Sequence, residues 1–157
     1  MKYNEIKYNL KSNNPIEEYT EVRPSKIHGL GLFAKKLIPK GTVWWHARPQ
    51  DVIFITKEQF FILDNSEKTP LVKSYLECLL TYSYYDEKLD TLIFCLDDSK
   101  FVNHSNDPNS GTVEEHELNA ISRRDIHPGE EVTEDYSYYV LCDWLKKYRE
   151  FFDPTSW

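Results

Sequence analysis

Two polar stretches constrain this chain more than anything else in it: Phe101-Val102-Asn103-His104-Ser105-Asn106-Asp107-Pro108-Asn109, and Gly129-Glu130-Glu131-Val132-Thr133-Glu134-Asp135-Tyr136. Both are dense in side chains that are costly to bury without hydrogen-bond partners. Segments of this kind are either surface loops or built sites. If 132–136 is extended, Val132, Glu134 and Tyr136 share one side and Thr133 and Asp135 the other. Alternation then aims Tyr136 at whatever the first stretch encloses.

Composition narrows the setting. The chain has 157 residues, 40% of them apolar, which suits one domain with a core of its own. No run of about 20 apolar residues is present, so no membrane span is expected. The opening Met1-Lys2-Tyr3-Asn4-Glu5 lacks the apolar stretch of a cleaved leader. Cys78, Cys95 and Cys142 are odd in number and far apart, with no Cys-x-x-Cys. They predict free thiols in a reducing, intracellular compartment such as the cytoplasm, and no zinc cluster. A net charge of −7 has the wrong sign for a sequence-independent grip on nucleic acid. It suits attraction of a basic, lysine-bearing segment, and equally it serves plain solubility.

Along the chain, 1–18 reads as a polar arm. Tyr19 to Arg23 alternates weakly before the turn at Arg23-Pro24-Ser25. Thr42-Val43-Trp44-Trp45, Asp51-Val52-Ile53-Phe54-Ile55, Thr91-Leu92-Ile93-Phe94-Cys95-Leu96 and Glu117 to Arg123 read as strands. Thr56-x-x-Gln59 has the spacing of a capping box ahead of a short helix. Leu71, Tyr75 and Leu79, with Val72, Leu76 and Leu80, predict a helix over 70–82. Val140-Leu141, Trp144-Leu145, Tyr148 and Phe151-Phe152 recur three to four apart and predict an amphipathic helix at the end. Many short strands with a few helices at the margins imply a mainly β, α+β fold of small antiparallel sheets.

A third segment, Ser25-Lys26-Ile27-His28-Gly29-Leu30-Gly31-Leu32-Phe33-Ala34, completes an ordered set. Gly29-Leu30-Gly31 by itself serves a tight turn as readily as a site, and it lacks the third glycine of a dinucleotide fingerprint. Taken in order, Gly-x-Gly-Leu-Phe-Ala, Phe-Val-Asn-His-Ser with Asp-Pro-Asn, and Gly-Glu-Glu-Val-Thr-x-Asp-Tyr resemble the SET-domain family of S-adenosylmethionine-dependent protein lysine methyltransferases. The resemblance runs from Val22 to Tyr136. It implies a β-clip-like fold of several small sheets with a knot-like C-terminal crossing. It also implies an arm at 1–18, a SET domain at 19–139 and a helical cap at 140–157.

The resemblance implies roles for particular residues. Ile27, Gly29, Leu30 and Gly31 correspond to the main-chain contacts to cofactor, Asn103 to the contact with its amino-acid end, and His104 to the backbone contact with its adenine. Tyr136 holds the catalytic position. A phenol with pKa near 10 is a poor base at neutral pH, so its role is to orient the amine and stabilise developing charge. Trp45, Glu134 and Tyr138 fall where the family lines its substrate channel. Glu134 stands where an aromatic residue is common in the family; a carboxylate there either opposes deprotonation of the lysine or recognises substrate outside the channel. Asn106 follows Ser105 where the family usually has cysteine. The protein substrate is expected to carry a lysine, and the roof of the site falls to the final helix or to a second copy in a homodimer. A rival reading is a SET-like module without activity that docks peptides or partners; another is a methyltransferase for small amines.

Weaker groupings complete the survey. Glu115 and Glu117 flank His116, but alternation sets His116 opposite to them and no second histidine is spaced nearby, so no metal site is expected. Cys142 and His127 have no motif to make them a nucleophile pair. Trp144 fits the apolar stripe of the final helix and is expected in the core.

Overall fold

A computed structural model describes residues 13–112, 119–138 and 142–151. The chain forms two compact units: one comprises the described part of 7–51 together with Asp97–Asp135, the other comprises Val52–Leu96 and the described residues from Tyr136 onward.

The first unit opens with α1 (Ile16–Tyr19), whose Ile16 is buried, so the end of the predicted polar arm is a helical turn; residues 1–12 lie outside the described residues. β1 (Thr20–Pro24) and β2 (Leu30–Ala34) form an antiparallel hairpin with Thr20 opposite Ala34 and Pro24 opposite Leu30. β2 continues the sheet to β10 (Glu131–Glu134), antiparallel, with Val132 opposite Leu32. β10 then pairs with the two-residue β7 (Asn103–His104), and this pair is parallel, with Thr133 opposite Asn103. The small sheets are thus not uniformly antiparallel. A second sheet orders β3 (Val43–His46), β9 (Asn119–Ser122) and β8 (Ser110–Thr112). Residues 117–118 of the strand expected over 117–123, and with them Glu115 and His116, lie outside the described residues.

Leu32, Ala34, Ile38, Trp44, Ile126 and Val132 are buried to within 1% exposure, and Ile38 bridges Ile126 in antiparallel fashion. Burying these apolar side chains is the main favourable term for the unit. The polar atoms that go in with them are partnered: Trp44 Nε1 donates to Ser110 Oγ at 2.7 Å.

The second unit builds an antiparallel sheet from β4 (Val52–Thr56), β6 (Thr91–Cys95) and β5 (Ser83–Asp86), with β6 central. The predicted capping box is formed. Thr56 Oγ1 accepts from Gln59 N–H at 3.2 Å and Gln59 Oε1 from Thr56 N–H at 2.9 Å, which starts α2 (Lys57–Asp64). α3 runs Pro70–Tyr82 as its periodicity predicts; Thr69 caps it, and Pro70 sits in the first turn, where its missing N–H costs nothing. Phe60, Leu76, Leu80, Leu92, Cys142 and Leu145 form the core, with Phe61, Tyr85, Trp144, Tyr148 and Phe151 packed against it.

The C-terminal segment differs from expectation. Asp143–Phe151 is a run of 3-10 turns broken at Leu145 and Tyr148, not an α-helix. The reason is legible in hindsight: Cys142, Leu145, Tyr148 and Phe151 recur at a strict spacing of three, the 3-10 period, and all four face the core. Val140, Leu141 and Phe152 lie outside the described residues.

Candidate functional site

The first unit brings the glycine loop, the Asn103 strand and β10 together through one side-chain network. Asn103 is 9% exposed. Its Nδ2 donates to His28 O at 3.2 Å, Leu30 O at 3.0 Å and Glu131 Oε1 at 2.8 Å. All three partners are acceptors, which fixes which end of the amide carries nitrogen. The other end, Oδ1, has no hydrogen-bond partner among the described residues. Glu131 Oε2 accepts from Ser25 Oγ at 2.9 Å, and Ser25 Oγ in turn accepts from Ile27 N–H at 2.8 Å. Ser25 N–H donates to Gly29 O at 2.9 Å and closes the loop on itself.

The two glycines serve different physical ends. Gly29 has φ +45, a left-handed backbone that residues with a Cβ rarely adopt, with open space around it. Gly31 has an ordinary backbone but no room: a Cβ there would stand 2.1 Å from Glu131 Oε1. Its small size admits the carboxylate that braces Asn103. Ile27 and Leu30, on the same loop, leave 51% and 42% of their area to solvent, unusual for large apolar side chains beside so much hydrogen bonding.

Asn109, within the Asp-Pro-Asn motif, is a structural brace whose task the sequence does not reveal. It is 3% exposed. Its Nδ2 donates to Glu131 O at 2.7 Å and its Oδ1 accepts from Thr133 N–H at 2.9 Å, so one side chain satisfies two backbone groups of β10. The signal available in sequence was Asp-Pro-Asn, a turn that places an amide after a proline. Glu131 was missed too, because its task is visible only once Gly31 lies beside it.

The remaining candidates fall as follows. His104 is half-buried, with Nε2 at 3.1 Å from Asn106 Oδ1 and Nδ1 at 3.8 Å from Asp135 Oδ1. Trp45 is buried and donates its indole N–H to Asp97 Oδ2 at 2.8 Å; the other oxygen of Asp97 accepts from Ser99 N–H and starts the turn at Asp98–Phe101. Glu134 ends β10, half-buried, and its carbonyl accepts from Ser105 N–H at 2.9 Å. Tyr136 and Tyr138 belong to the second unit, in the 3-10 turn Tyr136–Tyr138; Tyr136 is half-buried and Tyr138 is 74% exposed. The expected alternation through 136 does not hold, because β10 stops at Glu134 and both Val132 and Thr133 are buried.

Trp144 takes the core position expected of it. Its ring lies 5.7 Å from Phe60 and 6.1 Å from Tyr85, and its N–H donates to Asp90 Oδ1 at 2.9 Å. Burial pushes the Cys142 thiol up to about 11, only partly offset by the backbone N–H groups of Trp144 and Leu145. A thiol so rarely ionised at neutral pH is a poor nucleophile.

Among the described residues this network offers acceptors: the amide oxygen of Asn103, which takes no hydrogen bond, and a carboxylate that pairs with no cation. That chemistry fits a ligand bearing positive charge. Residues 29–137 match the family described as SET domain, which is most of the chain and spans all three motifs. The chain belongs to the SET-domain family. Among curated protein sequences none matches this SET-domain chain. Among solved structures it is similar to a Plasmodium falciparum chain described as a candidate histone methyltransferase. The two share 19% identity, with a TM-score of 0.49, over 76% of this chain and 94% of that one.

Proposed function

We propose that this SET-domain protein is a methyltransferase that uses S-adenosylmethionine and modifies the side-chain amine of lysine in a protein substrate, in a reducing intracellular setting. The observation that carries the proposal is the Asn103 amide. Its nitrogen is consumed by the glycine loop and Glu131, which leaves its oxygen, the atom suited to an ammonium, without a partner among the described residues.

S-adenosylmethionine, when bound, supplies an electrophilic methyl on a sulfonium; a neutral amine takes it, the carbon–sulfur pair returns to sulfur, and the amine proton leaves to solvent. The chain's own part is binding and orientation. Asn103 Oδ1 accepts from the ligand's ammonium, and the backbone of Ile27, Gly29, Leu30 and Gly31 lies against its methionine end. His104 meets the adenine through its backbone. Tyr136 orients the lysine amine and stabilises charge that develops there. Trp45, Glu134 and Tyr138 line the substrate side. The segments 19–139 act as the catalytic domain, 140–157 as its cap and 1–18 as an arm, with the knot-like crossing and a homodimer as further parts of the reading.

A lysine of pKa about 10.4 is neutral roughly once in a few thousand molecules at pH 7. A dry channel next to positive charge lowers that pKa and enlarges the reactive fraction. The test is incubation of wild type and Tyr136→Phe with labelled S-adenosylmethionine and a proteome extract. Label is expected on protein with wild type and at least about a hundredfold less with the variant, the scale of losing one oriented group. Equal labelling by both would remove Tyr136 from its role. Cofactor binding without any labelling would favour the docking module instead.

A further inference from the structure

Among the described residues, the partners of the acidic Glu131 side chain are all neutral. Its two oxygens accept from the Asn103 amide at 2.8 Å and the Ser25 hydroxyl at 2.9 Å. Among the described residues no Lys, Arg or His nitrogen stands within ion-pair distance of it. Its neighbour Glu130 is different, because Arg124 pairs with it at 3.1 Å. Glu131 is half-buried against Gly31, and a Cβ at that glycine would meet its carboxylate. A charge held inward with no counter-charge is costly unless something else supplies one.

We infer that Glu131 is a specificity residue, whose carboxylate favours the sulfonium form of the cofactor over the neutral thioether left after methyl transfer. The inference rests on the function proposed above and adds the basis for telling substrate from product. The amino-acid end of either ligand is a zwitterion with no net charge, and adenine is neutral. Beyond contact distance a lone carboxylate acts on net charge, and the sulfonium is the one charge by which the two ligands differ. Neutral donors hold Glu131 in place without cancelling that field.

Calorimetric titration of the full chain with S-adenosylmethionine and with S-adenosylhomocysteine tests this, using wild type, Glu131→Gln and Glu131→Asp. Glu131→Gln keeps the size of the side chain and an acceptor for Asn103. It is expected to weaken S-adenosylmethionine binding about tenfold and S-adenosylhomocysteine binding less than about twofold, the order for removing one charge from a partly screened pair. Glu131→Asp keeps the charge on a shorter arm and is expected to retain the preference even where both ligands bind less well. Equal weakening of both ligands by Glu131→Gln would overturn the inference and reduce Glu131 to a brace for the loop. If thermal unfolding shows that Glu131→Gln does not fold, Glu131→Ala takes its place, and a preference for S-adenosylmethionine unchanged from wild type overturns the inference. Wild type that binds neither ligand would sink the proposed function itself, an outcome distinct from equal binding losses.

Discussion

In the unit that carries Asn103, polar side chains hold the backbone where strands cannot. Asn103 reaches two loop carbonyls, Asn109 bonds both an N–H and a C=O of β10, and Ser122 Oγ donates to Pro39 O at 2.5 Å. In the unit built on α3 the same task falls to rings: Phe60 meets Phe61, Trp144 and Tyr148 within about 6 Å, packed on aliphatic side chains. Two carboxylates there do the polar work. Asp64 accepts from Lys147 Nζ and Tyr148 Oη, and Asp90 accepts from Tyr85 Oη and Trp144 Nε1. The hydroxyls of Ser83 and Thr91 remain buried without a partner in that unit. Among the described residues the unit that carries Asn103 has one such hydroxyl, Ser99 Oγ. An apolar cluster tolerates approximate packing, whereas a network that presents one amide oxygen outward depends on every bond behind it.

The most severe test of this contrast is Phe60→Ala. Removing a fully buried ring is expected to cost about 3–5 kcal/mol, read by denaturant unfolding. Hydrogen exchange should speed up across Val52–Leu96 and stay slow in β2; equal acceleration in both would mean that the units do not behave separately. Asn109→Ala comes next, at about 2–3 kcal/mol, because it strands a buried N–H and C=O of β10. Asn109→Asp keeps an acceptor for Thr133 N–H but sets a buried carboxylate oxygen against the Glu131 carbonyl, and it should recover none of the loss, measured in the same way.

A smaller effect, roughly 2 kcal/mol, is expected for Asp64→Asn, and it carries a pH signature. Burial alone pushes the Asp64 carboxyl up, but hydrogen bonds from Lys147 and Tyr148 and the charges of Lys147 and Lys68 outweigh it and hold the group below its ordinary value. A carboxyl depressed on folding adds stability above its unfolded pKa of roughly 4 and loses it as pH falls through the folded value. Wild type should therefore lose stability on acidification through that window, and Asp64→Asn should lose less of it. The smallest effect is Gly29→Ala. Its φ of +45 sets a cost of about 1 kcal/mol, and Gly29→Asn should cost less; melting temperatures of the three proteins decide it.

Elements whose signal is local were legible in sequence. The Thr56–Gln59 capping box, the stripe of α3 and the apolar run of β6 each specify themselves within a few residues. β5 was missed because Ser83-Tyr84-Tyr85-Asp86 is only four residues long and follows α3 directly, with no apolar alternation of its own to announce a strand. The parallel β7–β10 pair was not foreseeable, since two residues carry no period and their partner lies far along the chain. Tyr136 was placed by assuming that a strand outlasts its hydrogen bonds, which it does not. The three motifs were legible as an ordered set, while the braces behind them, Glu131 and Asn109, needed coordinates, because neither has a neighbour in sequence that explains it.

The first unit is assembled from two pieces of chain with the whole of Val52–Leu96 between them, and this has a consequence for its birth on the ribosome. Leu32 meets its partner strand at Val132, so the nascent hairpin waits for roughly a hundred residues, on the order of ten seconds of translation. Throughout that interval one rim of β2 stands bare, an invitation to stray pairing. The hazard in making this protein therefore lies in its earliest strands, well before β10 has left the exit tunnel.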